Sequence, residues 1–348
     1  MHVPTPVPVK LADVAAACGL SITTASHALS GNPRVPEATR RRVLDAARHL
    51  NYRPDPAARK LGRKAPSADQ GIYQTAALLV SPREQLYWSS NEKPWKTVMK
   101  DRLRSYGYGI DLMTWTQNPR DWTKLRSVLS GRGITAAILA ADGFDTAVLP
   151  AQWDGIAWVC YSADPLRRHL HNVIIDHYSD AILSCERALA LGYRRIALFL
   201  SDSKRQAAAH EPFVGGYLAS AKQFGFEPVL EWMNHAWVPA DVEMLAQRIR
   251  SNEVDCVLAE SGYYLTLLSR WGVLPPGTGR AVLDQIDDSS SKFAGIEQGR
   301  AARNRIVVDL LNSHALNHEF GVPEHPLLVS VPGRWQDAPS LPPRSPRV

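Results

Sequence analysis

The first fifty residues carry three short patterns of helical period. In the first and third, apolar residues fall at i, i+3, i+4 and i+7, which predicts one buried face on each helix. These residues are Leu11, Val14, Ala15 and Cys18 in the first helix, and Val43, Ala46, Ala47 and Leu50 in the third. Gly19 turns the chain after the first helix, and Pro36 suits the first turn of the third, where a missing N–H costs little. The pattern predicts a small all-helical head.

The middle helix spans Ser21–Leu29, with Ser21 as its N-cap. Ala25, Ala28 and Leu29 form its inward face. The remaining positions point outward, and they are Ile22, Thr23, Ser26 and His27. An apolar Ile on a solvent-facing first turn does not contribute to the core of the head. Its exposure therefore indicates that this face of the helix binds a partner.

From residue 75 the pattern changes to short apolar runs that alternate with helical stretches. Nine runs read as strands, from "TAALLVS" to "AVLDQ", and helical patterns cover 92–106, 121–131, 179–191, 214–224, 239–251, 262–271 and 297–312. Such alternation is typical of parallel α/β sheets. Nine units over this length predict two α/β lobes with a ligand cleft between them.

These patterns divide the chain into four parts. Residues 1–64 form the head, 65–74 a polar linker, 75–340 the two-lobed body and 341–348, "LPPRSPRV", a disordered tail. Within the head, Asp55, Pro56 and Gly62 delimit a helix of about six residues over 55–61. It is far shorter than the ~12 to 15 residues of a marginally stable isolated helix, so it needs an external support.

Charge separates the head from the body. Eleven Lys or Arg against four acids give residues 1–64 a net charge of +7, while the other 284 residues carry −1. A basic head that meets a polyanion fits this asymmetry. In a helix-turn-helix the second helix enters the major groove, where Ile22 can contact a thymine methyl and Thr23 or His27 can reach base edges or phosphate. The alternative is a plain three-helix bundle with a stray surface Ile.

The segments "VKLADVAAACGLSITTASHALSG" and "TRRRVLDAARHLNYRPDPAARKL" closely resemble the DNA-binding domain of the LacI/GalR family of bacterial transcription regulators. The resemblance implies that Ile22 and Thr23 read bases and that neighbouring polar residues assist. It also implies a hinge helix that folds on DNA, with Leu61 as a minor-groove wedge. The full predicted DNA-binding set is Ser21, Ile22, Thr23, Thr24, Ser26, His27, Asn32, Tyr52, Ala57, Ala58 and Leu61. His27 replaces the usual Arg, and Pro36 replaces the usual N-cap Ser.

The body resembles the family's effector domain, which is similar to periplasmic sugar-binding proteins; "HNVIIDHYSDAILSCERALALGYRRIALFLS" carries the likeness. The resemblance implies an effector site at Phe213, Trp237, Glu260 and Asp284. Phe213 stands where the family places an effector-binding Arg, and Glu260 follows a strand where the family has Asn-Asp. We therefore expect a neutral or cationic ligand, because no fixed positive fork is expected at that end. Trp88, Trp115 and Trp237 either stack on a sugar face or simply pack.

Other chemistry is weakly supported. The four cysteines, Cys18, Cys160, Cys185 and Cys256, lack metal or redox spacing and read as small buried hydrophobes. His169 and His171 read as part of a basic loop rather than a metal site. No nucleophile elbow or phosphate-binding loop occurs, so we predict no enzyme, no cofactor and no metal. No apolar run suggests a membrane span or a signal peptide, so we expect a cytoplasmic location.

The sequence therefore predicts a homodimeric transcription regulator, most simply a repressor, that binds a pseudo-palindromic double-stranded operator. A small carbohydrate-like effector between the lobes would control its operator affinity. Two alternatives stay open at this point: a solute-binding or sensor protein with a vestigial head, and a small-molecule enzyme built on the α/β body.

Overall fold

The computed structural model describes residues 9–29, 35–50, 52, 74–82, 85, 88, 94–116, 118–140, 155–161, 169–202, 207–233, 239–285 and 292–344. The chain divides into two compact units, Met1–Asp69 and Gln70–Val348. They are called the head and the body below, and each is described by itself.

The head contains three helices, α1 (Leu11–Ala17), α2 (Ile22–Leu29) and α3 (Glu37–His49). Their inward residues form one apolar core that includes the Val14, Ala25 and Val43 side chains, which are fully buried. The turn from α1 to α2 runs through Gly19 at a φ of +61°, a left-handed conformation that favours glycine. One detail of the prediction is wrong: Pro36 is the N-cap of α3 and the helix begins at Glu37.

The described part of the body contains twelve strands. They are β1 (Gln74–Val80), β2 (Tyr108–Thr114), β3 (Ala136–Ala140), β4 (Ala157–Tyr161), β5 (His171–Ile175), β6 (Ile196–Ser201), β7 (Val229–Met233), β8 (Cys256–Ala259), β9 (Gly279–Gln285), β10 (Ala294–Glu297), β11 (Leu328–Val331) and β12 (Arg334–Gln336). Its helices are α4 (Pro94–Ser105), α5 (Pro119–Gly131), α6 (His177–Ala190), α7 (Ala207–Phe224), α8 (Pro239–Ser251), α9 (Gly262–Arg270) and α10 (Arg300–Leu316).

The strands form two six-stranded sheets. The first has the order β11-β5-β4-β3-β1-β2 and is parallel throughout, with Leu78 of β1 paired to Ile138 of β3. The second has the order β12-β10-β9-β8-β6-β7 and is parallel except for the antiparallel edge strand β12. Central strands such as β3 and β6 are buried along their whole length because helices cover both faces. The predicted two-lobed α/β architecture with parallel sheets is confirmed.

In the described residues, the chain passes between the two lobes three times. The first crossover joins β5 to α6, the second joins β10 to α10, and the third joins β11 to β12. Packing follows this path: Cys185 of α6 is buried in the core of the second lobe, and Val307 of α10 in that of the first. Each lobe is therefore completed by a segment that arrives from the other.

Helices α6 and α7 pack closely against each other in the second lobe. An added Cβ at Gly216 would lie 2.3 Å from the Tyr178 carbonyl oxygen and 3.0 Å from the Ala181 Cβ. Glycine is therefore required for the two backbones to approach to this distance.

Several boundaries differ from the prediction. Strands β10, β11 and β12 were not predicted, because four or fewer residues with mixed exposure give no periodic signal. Helix α7 begins at Ala207, upstream of Pro212, and α10 begins at Arg300, after a strand. Gln74 belongs to β1 and not to the linker. His171 begins β5, so the basic-loop interpretation of this segment is also wrong there.

The predicted disordered tail is partly wrong. Leu341 is 4% exposed within the core of the second lobe. Arg344 binds Asp255 at 2.6 Å, and its amide donates to the Leu191 carbonyl oxygen at 2.8 Å. Residues 341–344 are therefore held in place because one apolar side chain and one ion pair bind them to the lobe, while 345–348 lie outside the described residues.

The structure bears on two further expectations, one about the cysteines and one about membrane spans. The four cysteines are all free and buried, which confirms their interpretation as small hydrophobes. No helix in the described ranges combines the length and apolar character that a membrane span requires.

Candidate functional site

The outward face of α2 is as the sequence predicts. The Oγ atom of Ser21 accepts the Thr24 amide at 3.1 Å, so Ser21 caps the helix, and its hydroxyl also bonds the Thr24 hydroxyl at 2.8 Å. Ile22 is 55% exposed at the first turn, a large apolar side chain that the head core leaves outside. Thr23 is also exposed, so this end of α2 presents a methyl-rich and hydroxyl-bearing surface.

The rest of the predicted DNA-binding set falls into three groups. Ser26 and His27 are exposed one turn further along α2. Tyr52 packs against the head core, and its amide donates to the Ala47 carbonyl oxygen at 2.8 Å. The other predicted residues lie outside the described part of the chain, and they are Asn32, Ala57, Ala58 and Leu61. Their roles stay predictions.

The basic side chains of α3 are paired locally. Arg40 binds Glu37 at 3.0 Å, and Arg48 binds Asp45 at 3.3 Å. The Arg48 pair is well exposed, and exposed pairs contribute about 0–1 kcal/mol to stability, so the Arg48 guanidinium can exchange partners at low cost.

In the second lobe, polar residues gather at the carboxyl edge of the sheet. Ser201 ends β6, Glu260 follows β8, Asp284 lies near the end of β9 and Gln298 follows β10. Ligands of open α/β sheets bind outside this edge. The Asp284 amide donates to the Glu260 carbonyl oxygen at 3.1 Å, so these two predicted effector residues are neighbours. Ser201, Glu260, Asp284 and Gln298, with the side chains that contact them, are called the ligand edge.

An ion pair dominates the ligand edge. One terminal nitrogen of Arg300, from the first turn of α10, lies 2.5 Å and 2.6 Å from the two carboxylate oxygens of Asp284. Burial raises the pKa of Asp284, and the Glu260 carboxylate raises it further, while Arg300 acts in the opposite direction. The arginine thus compensates a carboxylate that its surroundings would otherwise drive toward the neutral form.

A buried histidine lies beside the second carboxylate. His210, 1% exposed on α7, places its Nε2 atom 3.1 Å from Oε2 of Glu260. The same oxygen accepts the Ser201 amide at 2.9 Å. Glu260 therefore has a fixed orientation, which it needs if it is to receive a ligand hydroxyl.

Gln298 connects the ligand edge to the first crossover. Its oxygen accepts from Arg300 at 3.1 Å, and its amide nitrogen lies 3.2 Å from Nδ1 of His177. Burial lowers the pKa of His177 to about 3, and Arg300 contributes in the same direction, so this ring is neutral. The imidazole packs on the Phe213 ring at a centroid distance of 4.3 Å.

Phe213 itself is 2% exposed and belongs to the apolar core of the second lobe. The structure thus buries this predicted effector residue against the ring of His177. A positive side chain is present near this end, because Arg300 lies three contacts from Phe213, through His177 and Gln298. Asp284, however, already occupies that guanidinium.

The first lobe carries aromatic side chains at the carboxyl end of β4, which Tyr161 closes. Trp88 lies 6.2 Å from Tyr161 between ring centroids, and the Arg303 guanidinium lies 4.5 Å from the Tyr161 ring. Trp115 packs edge-on against Trp122 at 4.0 Å and is 2% exposed, so it is a core residue. Trp237 lies outside the described residues.

The comparisons with known proteins begin with the head. Residues 10–55 match the model of the family described as "Bacterial regulatory proteins, lacI family". The body has two lobes and three crossovers, and its fold is shared by solved LacI-family proteins, as detailed below. The match with the lacI family model therefore covers the head, and the likeness of the body is one of fold.

Individual relatives are distant. Catabolite control protein A of Priestia megaterium is 23% identical over 218 residues, which cover 62% of each chain. The lac repressor dimer bound to operator and the anti-inducer ONPF superposes with a TM-score of 0.60 at 18% identity, covering 97% of this chain and 100% of the other. A complex of the regulator CelR with cellobiose gives a TM-score of 0.54 at 19% identity, covering 94% and 98%. At these identities the structural likeness establishes the fold.

Sequence reasoning missed four residues of the ligand edge. They are His177, His210, Gln298 and Arg300. His177 and His210 were hidden because a lone histidine on a helix has no spacing signature. Arg300 follows a four-residue strand that was not recognised, and its helix was therefore placed too early.

Proposed function

We propose that this protein is a sequence-specific DNA-binding transcription regulator, most simply a repressor, that acts as a cytoplasmic homodimer. The observation that carries the proposal is the exposed Ile22 at the first turn of α2, within a head that matches the LacI family model. An apolar side chain at this place suits a thymine methyl in the major groove. One head covers only a half-site, so a dimer on a pseudo-palindromic operator follows.

We further propose that a small, neutral, sugar-like ligand binds between the lobes and changes operator affinity. The support is the ligand edge, where Glu260 and Asp284 offer oriented carboxylates, and the partly buried Trp88 ring of the other lobe, which suits stacking on a sugar face. Relatives in this fold include a regulator solved with cellobiose. A phosphate would have to displace Asp284 from Arg300 and remain close to Glu260, which disfavours a phosphorylated ligand.

Selection from random double-stranded DNA tests the DNA-binding function. The wild-type protein should enrich a pseudo-palindrome, and the Ile22→Ala/Thr23→Ala variant should enrich a different or weaker consensus. Each base contact is worth about 1–3 kcal/mol, so the change in preference is readily measurable. Arg48→Ala is the control, because loss of a phosphate contact weakens all sequences alike.

The alternatives give different results. No enriched sequence from the wild-type protein would favour a sensor with a vestigial head. An identical consensus from wild type and the double variant would show that these two side chains do not read bases. Turnover of a bound sugar by the purified protein would favour the enzyme alternative.

Calorimetry tests the ligand proposal, with cellobiose and its phosphorylated form as first probes. Asp284→Ala should weaken binding of a neutral sugar, while Asp111→Ala, at an exposed ion pair elsewhere in the body, should not. Tight binding of a sugar phosphate that Asp284→Ala leaves unchanged would contradict both the site and its charge preference.

A further inference from the structure

Asp180 connects two of the three crossovers between the lobes. It lies in the first turn of α6, directly after the first crossover, and is 1% exposed. Its Oδ1 atom accepts the Gly333 amide at 2.8 Å. Gly333 lies in the third crossover, between β11 and β12. A side chain that follows one crossover therefore holds the backbone of another.

The approach of the two segments depends on glycine at this position. A Cβ at Gly333 would lie 2.3 Å from Cγ2 of Ile296, 2.9 Å from the Glu297 carbonyl oxygen and 3.0 Å from Oδ1 of Asp180. The third crossover therefore packs tightly against the second lobe. This contact places the Gly333 amide within hydrogen-bond distance of Asp180.

A second hydrogen bond runs beside the first. The Asp176 amide donates to the Val331 carbonyl oxygen at 3.0 Å, so the first and third crossovers are also joined through backbone. Asp180 is the titratable member of this connection. A change in its charge therefore acts where the first and third crossovers are joined.

The surroundings of Asp180 disfavour a negative charge. In the described part of the chain, Oδ2 is buried and has no hydrogen-bond partner. Burial raises the pKa of Asp180 to about 7, the carboxylates of Asp176 and Asp284 add to the rise, and the Gly333 amide opposes it.

The other charged or titratable groups on elements packed against α6 are engaged elsewhere or exposed. Arg300 is bonded to Asp284, Glu297 to Gln336, and His210 lies beside Glu260. The remaining ones are Arg280 of β9, which is partly buried and donates to the Ser269 hydroxyl at 3.0 Å, and the exposed Glu211 and Lys222 of α7 and Arg334 of β12.

We propose that Asp180 is a positioning residue where the crossovers between the lobes meet, and that its ionisation destabilises their packed arrangement, so that operator affinity depends on pH. The operator part rests on the proposed function. In the neutral form one oxygen accepts the Gly333 amide while the other carries the proton. After ionisation the Gly333 amide bonds a carboxylate, but the charge is buried beside two others and Oδ2 has no hydrogen-bond partner. Admitting water or moving the segments apart relieves this larger cost.

Thermal unfolding of the full chain between pH 5.5 and 8.5 tests this destabilisation. An unfolded aspartate has a pKa near 4, so between that value and about 7 the folded state holds a proton that the unfolded state lacks. Wild-type stability from this group therefore falls as the pH rises through that window and levels off above it. Asp180→Asn keeps the acceptor for Gly333 but cannot ionise, so its melting temperature should rise relative to wild type as the pH increases.

Two further variants separate the contact with Gly333 from packing. Asp180→Ala leaves the Gly333 amide without its acceptor and should be destabilised at every pH. Ser184→Ala, one turn further along α6 and equally buried, should run parallel to wild type. Parallel profiles for wild type and Asp180→Asn would overturn the proposal.

Operator affinity tests the effect on DNA binding. On the selected operator, the dissociation constant of wild type should change between pH 6 and pH 8 by about fivefold more than that of Asp180→Asn. Equal pH dependence in the two proteins would refute that effect even if the melting profiles differ. If no operator is found at all, the proposed function fails, and the melting profiles still decide whether ionisation of Asp180 destabilises the packed crossovers.

Discussion

Replacing Arg300 by Met tests the electrostatics of the ligand edge most directly. Met keeps the aliphatic volume but leaves Asp284 without its counter-ion beside Glu260. Exposed ion pairs contribute about 0–1 kcal/mol, whereas removing one partner of a buried pair costs about 3–5 kcal/mol. The side chains of Arg300 and Asp284 are 16% and 27% exposed, which places the pair between these regimes. We expect a loss of about 2 kcal/mol in the free energy of unfolding at pH 8.

The loss should depend on pH. Burial and Glu260 already raise the pKa of Asp284, and without Arg300 it rises further. A folded-state pKa above the unfolded value means that the folded variant binds a proton as the pH falls, so the variant recovers stability toward pH 5. Urea unfolding at pH 5 and pH 8 measures this difference.

Two comparisons make the result interpretable. Asp284→Asn added to Arg300→Met removes the uncompensated charge and should restore most of the loss. Arg132→Met breaks an ion pair with Asp111 whose arginine is 58% exposed, and should cost less than about 1 kcal/mol. A penalty for Arg300→Met that is equal at both pH values, or that the double variant does not reduce, would refute the reasoning.

Three further changes test other parts of the molecule. Ser21→Ala removes the oxygen that accepts a backbone amide of α2 at 3.1 Å, and we expect a loss of about 1 kcal/mol in local stability, measured as faster amide exchange in α2; unchanged exchange would contradict the cap. Leu341→Ala removes a side chain that is 4% exposed and should cost about 2–5 kcal/mol in urea unfolding, whereas a disordered tail would show no change. Gly216→Ala forces a Cβ to 2.3 Å from the Tyr178 carbonyl oxygen and should cost about 1–3 kcal/mol in the free energy of unfolding. Gly131→Ala is the control, because an added Cβ there meets nothing within 4 Å, and it should melt like wild type.

The sequence by itself determined the local structure and the function class of the head. In a head of three short helices, each helix has only one apolar face that can form the core. The outward positions of α2 therefore followed from residue spacing alone, and Ile22 is exposed as expected. In the body, buried parallel strands are continuous apolar runs, so nine of them were recognisable before their order was known. Period and composition are local signals, and they were sufficient wherever an element was long.

Tertiary structure decided what the ligand edge contains. The contact between Arg300 and Asp284 joins residues from two crossing segments, and nothing in their spacing predicts it. The bond between Asp180 and Gly333 spans 153 positions. The tail was also misjudged, because Leu341 is buried by a surface that only the folded lobe provides. Periodicity records which way a side chain faces within its own element, whereas the partner of a polar side chain depends on how distant elements pack.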